Sequence, residues 1–264
     1  MTMTAEVATP RKAALERAVA MRLAATEYRR FVELLRTLSP QQWATQTECP
    51  GWDVRTMASH LLGMAEMSAS MRENSRQLKL AKHRGDVFID ALTALQVEER
   101  MAMSPQQIVS RFDAVAPRAA RGRRRTPWFV RRMSPPEMAF PVNGRVERWT
   151  LGYLIDTILT RDPWMHRIDV TRATGAELVH TPDHDGAIVD DVVREWAARH
   201  GQPCSLRLTG PAGGSWQFGT GSPRTPADHG GAGGPSLELD AVEFCRMASG
   251  RASGDGLLTT EVPF

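Results

Sequence analysis

The sequence predicts a two-domain α+β chain: a helical bundle over residues 8–178 followed by a small α+β domain over residues 179–264. Three observations predict it. At 264 residues the chain is long for one compact domain and comfortable for two. Up to Thr174 its apolar residues recur at spacings of three and four. Past Gly175 that periodicity gives way to short strand-like runs, and nine of the 25 residues from Gly210 to Gly234 are glycine, which no helix survives.

The elements follow in order. From about Pro10 to Leu38, the residues Ala24, Tyr28, Phe31, Leu35 and Leu38 form a helical stripe that Ser39-Pro40 stops. After the turn "TECPGW", Asp53 is placed to cap a second helix whose face carries Val54, Met57, Leu61, Met64 and Met71. A third helical stretch runs from about Asp86 to Met101. Ser104-Pro105 starts another, a cap followed by proline at the first helical position, through Ile108, Phe112 and Val115.

The segment "RGRRRTPWFVRRMSPPEMAFPVNG" carries four prolines and most of the positive charge, and it reads as an irregular connection. Helical spacing resumes at Thr150 with Leu151, Ile155, Ile158 and Leu159. In the second domain a helix from about Gly186 to Arg199 precedes "CSLRLTG", "SWQFGTG", "SLELD" and a short helix "AVEFCRMASG".

Composition excludes several classes. Apolar residues make up 42% and charged residues 24%, as in ordinary soluble proteins, and the net charge of +3 gives no global argument for nucleic acid or an anionic membrane. The charge is uneven, with eight arginines against Asp113 alone between Arg111 and Arg132. Cys49, Cys204 and Cys245 are odd in number and far apart, which disfavours both a disulfide framework and a thiolate zinc knuckle. The N-terminus has no secretory pattern and no run is long enough to span a bilayer, so the expectation is a reduced, cytoplasmic protein.

The chemistry concentrates at helix ends. His60 shares a face with Met57, Leu61 and Met64, while Asp162 and His166 continue the stripe of Ile155 and Leu159. All three therefore point into the bundle. Residues four apart on a helix have Cβ atoms about 5–6 Å apart, from which an imidazole and a carboxylate can reach one ion. Zinc takes such ligands at about 2.0–2.2 Å. The bland readings stand beside this one. A lone histidine on an apolar face is commonly a hydrogen-bonded core residue. Asp162-Pro163 also reads as a cap and first residue of a new helix, and proline within a continuous helix costs about 3 kcal/mol or more, so a kink or break is expected there.

The blocks "WATQTECPGWDVRTMASHLLG" (Trp43 to Gly63) and "WTLGYLIDTILTRDPWMHRIDVTRATG" (Trp149 to Gly175) resemble the mycothiol-dependent maleylpyruvate isomerase family of actinobacteria. The resemblance implies a DinB-like four-helix bundle and, more loosely, a sterol-carrier-like second domain. It also implies a divalent metal, typically zinc, held by His60, Asp162 and His166. The family often has Glu at the acid position, so Asp162 is one methylene short. Mycothiol is implied as thiol cosubstrate, its sulfur activated for isomerisation or S-transfer on a small electrophilic, carboxylate-bearing molecule. Arg251, in "MASGRASGDG", is the match for an active-site arginine that would hold a carboxylate or a developing enolate.

Two other classes stay open on the residues. One is a nucleic-acid-binding regulator using Arg118 to Arg132 with Trp128 and Phe129 interleaved; the same segment also reads as a loop or lid. The other is a non-catalytic metal- or apolar-ligand-binding protein. The substrate and the oligomeric state are not legible.

Overall fold

The computed structural model describes residues 9–84, 87–219 and 234–264. It divides into two compact units, one ending at Leu178 and counting Phe264, the other spanning Val179–Pro263.

The first unit holds α1 (Arg17–Thr37), α2 (Pro40–Trp43), α3 (Val54–Ala69), α4 (Met71–Lys82), α5 (Phe88–Glu98), α6 (Pro105–Arg125) and α7 (Trp128–Arg131). A hairpin of β1 (Ala139–Val142) and β2 (Arg145–Arg148) follows, then α8 (Leu151–Tyr153), a π-helical turn Leu154–Ile158 and α9 (Leu159–Thr174). Helices α1 and α3 each pack on both α6 and α9, so α1, α6, α3 and α9 close a four-helix bundle. Its core joins Tyr28 and Phe31 of α1, Met57 and Leu61 of α3, and Ile108 and Phe112 of α6. Starts are fixed locally. The Asp53 carboxylate accepts from the Thr56 amide at 2.7 Å, and Ser104 with Gln107 forms a reciprocal capping box behind Pro105.

Three local expectations are corrected. Met71 is not on the second helix; α3 ends at Ala69, Ser70 caps α4, and Met71 lies exposed at its start. Most of the arginine-rich run is not irregular either, because α6 continues to Arg125. There Arg123 turns into the bundle, and close approach of α3 requires Gly122, where a Cβ would sit 1.9 Å from the Ser68 carbonyl oxygen.

The third correction concerns Pro163. Helix α9 runs through it unbroken, so Asp162 is not a cap. Proline offers no N–H to the Leu159 carbonyl, and the π turn diverts the Leu159 amide to the Leu154 carbonyl, bypassing that of Ile155. The buried Arg123 guanidinium supplies both missing donors. Its Nε and Nη2 reach the Ile155 oxygen at 3.1 and 2.5 Å, and Nη1 reaches the Leu159 oxygen at 2.8 Å. One side chain thus keeps the helix continuous.

In the second unit, a π-helical turn Pro182–Gly186 leads into α10 (Ala187–His200). Strands β3 (Cys204–Thr209), β4 (Gly214–Phe218) and β5 (Ser236–Asp240) form a sheet ordered β4-β3-β5, antiparallel then parallel, and α11 (Ala241–Ala248) follows. Alternate residues Cys204, Leu206 and Leu208 of β3 are buried, as are Val189, Val193 and Trp196 of α10. Trp196 meets Phe244 edge-on and donates from its indole to the Leu257 carbonyl at 3.0 Å. The strand-like runs named from the sequence are the observed strands. Residues 220–233 of the glycine-rich stretch and Asp86 lie outside the described residues.

Candidate metal centre

Helix α3 supplies His60 from the turn that faces α9, and α9 supplies Asp162 and His166 one turn apart. The structure brings the three together: one ligand atom from each lies within 4.8 Å of the others. The Asp162 carboxylate stands between the rings, 3.3 Å from His166 Nε2 and 3.7 Å from His60 Nε2. Both separations exceed an ordinary N–H···O bond. They match the spacing of about 3.4 Å between ligands arranged tetrahedrally at zinc–ligand lengths. The unbroken α9 is what makes this possible, since a break at Pro163 would have turned Asp162 away from His166.

Each imidazole is also held from behind. His60 Nδ1 lies 2.9 Å from the Gln96 Oε1 of α5, and His166 Nδ1 lies 2.9 Å from the Asp169 carboxylate. An oxygen acceptor at Nδ1 fixes a proton there, so that the neutral ring a metal binds turns its Nε2 lone pair to the cluster. Gln96 is itself fixed, donating to Gln77 Oε1 at 3.0 Å, while Gln77 donates to Glu73 Oε1 at 2.8 Å. Its approach depends on Gly63, where a Cβ would meet the Gln96 side chain at 2.6 Å. Replacing Gln96 with leucine is expected to weaken zinc binding by about 10–100-fold while the bundle stays folded, read by competition with a chromophoric chelator.

Burial opposes ionisation of Asp162, but the imidazoles of His166 and His60 outweigh it and hold the carboxyl well below the usual carboxylate range. Burial likewise disfavours a charged His166, yet Asp162, Asp169 and Cys49 hold its pKa well above 6.5. A divalent cation entering here therefore displaces a proton. The Trp52 ring lies 5.4 Å from His60 and 5.9 Å from His166, giving the cluster an aromatic wall.

Sequence reasoning missed Asp169, Gln96 and Trp52. Asp169 had a signal, a carboxylate three residues after a candidate ligand histidine; Gln96 comes from another helix and had none. Cys49 Sγ lies 3.6 Å from Asp169, so Cys49, His166 and Asp169 form a second close group. Its imidazole atom is already bonded to Asp169, and the group reads as support for His166. Cys204 and Cys245 are buried in the second unit. Arg251 also belongs to that unit, in the turn after α11, where its amide donates to the Arg246 carbonyl at 2.9 Å.

The solved structures similar to this chain include a crystal structure of the mycothiol-dependent maleylpyruvate isomerase, with 17% identity, a TM-score of 0.54, and coverage of 94% of this chain and 95% of that one. A histidine-to-alanine mutant of that isomerase aligns with 15% identity and a TM-score of 0.53, over 90% and 91% of the two chains. At such identity the likeness shows the fold. Among curated proteins no sequence matches this chain. The family model for the mycothiol maleylpyruvate isomerase N-terminal domain matches residues 24–171, more than half the chain and a span that includes His60, Asp162 and His166. The chain belongs to the family defined by that domain.

Proposed function

We propose that this chain is a metal-dependent enzyme that uses a low-molecular-weight thiol, mycothiol, to isomerise or thiolate a small electrophilic substrate bearing a carboxylate. The observation that carries the reading is the pair of imidazoles with Nδ1 tied back and Nε2 turned on one carboxylate. His60, Asp162 and His166 would hold the ion, and three protein ligands leave a position open for chemistry. A bound zinc ion supplies a Lewis acid that keeps a coordinated thiol deprotonated at neutral pH.

The remaining work falls to the chain. Gln96 and Asp169 fix the two rings in the productive tautomer. Trp52 excludes water from one side of the cluster and offers a ring face to an approaching substrate. Arg251 is assigned to the substrate's carboxylate on the family resemblance, since a guanidinium fork grips a carboxylate at two points.

Turnover of maleylpyruvate, and of a panel of α,β-unsaturated acids, with and without mycothiol tests the proposal. The expected result is turnover that needs both metal and thiol, with Arg251→Ala raising KM at least about tenfold, as loss of a charged substrate contact does. Retained metal with no thiol-dependent turnover across the panel would leave a binding protein instead.

A further inference from the structure

The segment Trp128–Met133 inverts the usual polarity of a folded chain. Arg131 is 8% exposed, whereas Trp128, Phe129 and Met133 are 66%, 56% and 52% exposed. Apolar surface left in water costs free energy and a buried guanidinium needs partners, so a chain gains nothing by this arrangement unless the outward residues meet something. The partners are present. Arg131 pairs with the buried Asp156 and donates to the Arg123 carbonyl at 3.1 Å, which bolts α7 to the bundle. Arg17 holds the preceding turn from below through the carbonyls of Arg124 and Thr126. The aromatic knuckle is therefore rigidly presented.

Arginines surround it. Arg118, Arg121 and Arg125 fall at spacings of three and four on one exposed face of α6, and Arg124 and Arg132 are exposed beside the knuckle. Among the described residues none of these five is paired with a carboxylate. Such a face suits a partner that is polyanionic and also accepts apolar groups.

We propose that α7 and the exposed arginine face of α6 form a docking surface for an anionic lipid bilayer. The knuckle enters the headgroup boundary and the arginines meet the lipid phosphates. Tryptophan favours that boundary, and a basic face beside apolar residues that lie in the interface is the combination that binds anionic membranes. No described helix is long and apolar enough to cross a membrane, so the contact is peripheral. The ring geometry argues against single-stranded nucleic acid. Trp128 and Phe129 meet edge to face at 88°, and Arg132 lies over the Trp128 ring at 5.8 Å, so the two rings offer no parallel platform for successive bases. Met133 has no ring to stack. This inference is independent of the metal chemistry.

Co-sedimentation of the full chain with vesicles tests it, comparing equal parts phosphatidylglycerol and phosphatidylcholine with phosphatidylcholine alone. The expected result is binding to the anionic vesicles alone, reduced by high salt. Trp128→Ser/Phe129→Ser should lower partitioning at least about tenfold. Arg121→Ser/Arg125→Ser should lower it roughly twentyfold, since one surface arginine is worth about fivefold at an anionic bilayer. Thermal melts of both variants should match the parent, because the substituted side chains are exposed. Absence of vesicle binding, or binding unchanged in the aromatic variant, would overturn the proposal. So would a self-association or an oligonucleotide complex that the aromatic variant abolishes while vesicle binding is missing.

Discussion

Replacing His60 with alanine is expected to take bound zinc from about one ion per chain to less than about a tenth, by elemental analysis after exhaustive dialysis. Three ligands with one open position is the smallest set that holds such an ion firmly, and a two-ligand remnant competes poorly with water. The loss should appear equally in Asp162→Asn, which keeps the shape of the side chain and removes its charge. That second variant matters because His60→Ala also strands the Gln96 carbonyl oxygen in the interior, at a cost of about 1–3 kcal/mol. His200→Ala, which changes a second-unit histidine packed on Trp196, should keep its metal. The thermal shift gives a second readout. Zinc at a hundred times its dissociation constant stabilises the parent by about 2.7 kcal/mol, and that increment should vanish in both site variants. Unchanged metal in Asp162→Asn would remove Asp162 from the ligand set.

The candidate ligand set came from the resemblance of the two motif blocks, and local spacing supplied only the inward facing of its members. His60, Asp162 and His166 lie on helical stripes, and period alone turns them inward. What closes the site is not local. Gln96 arrives from α5 through a gap that Gly63 leaves, and nothing in the order of residues pairs position 63 with position 96. The bundle helices were legible from stripes such as Tyr28, Phe31 and Leu35. Helix α4 was missed because its apolar face is thin: only Gln77 and Ala81 are buried on it. The arginine run was misread because its composition resembles a loop. Charge density conceals that Arg123 faces inward while its neighbours face water. The expected break at Pro163 failed likewise. Proline removes a donor, and the replacement donor stands forty residues earlier in the chain.

Arg123 therefore carries an expectation of its own. Arg123→Met keeps much of the side-chain volume and deletes every donor, leaving the carbonyls of Ile155 and Leu159 and the Thr160 hydroxyl without its hydrogen bonds. Two orphaned buried carbonyls at about 1–3 kcal/mol each predict a loss of roughly 3–5 kcal/mol in chemical denaturation. A merely bulky residue there would lose far less, since methionine fills irregular space well. The cause can be separated from the size of the effect. Pro163→Ala restores an N–H that can bond the Leu159 carbonyl within the helix, and in the parent it should change stability little, because Arg123 already serves that oxygen. In the Arg123→Met background the same substitution should recover about 1–2 kcal/mol, a coupling that independent sites would not show. Metal affinity should follow stability through this cycle, because the turn that Arg123 holds sets the phase of α9 and hence the facing of Asp162 and His166. Additive effects would mean that the proline is tolerated for some reason other than the guanidinium beneath it.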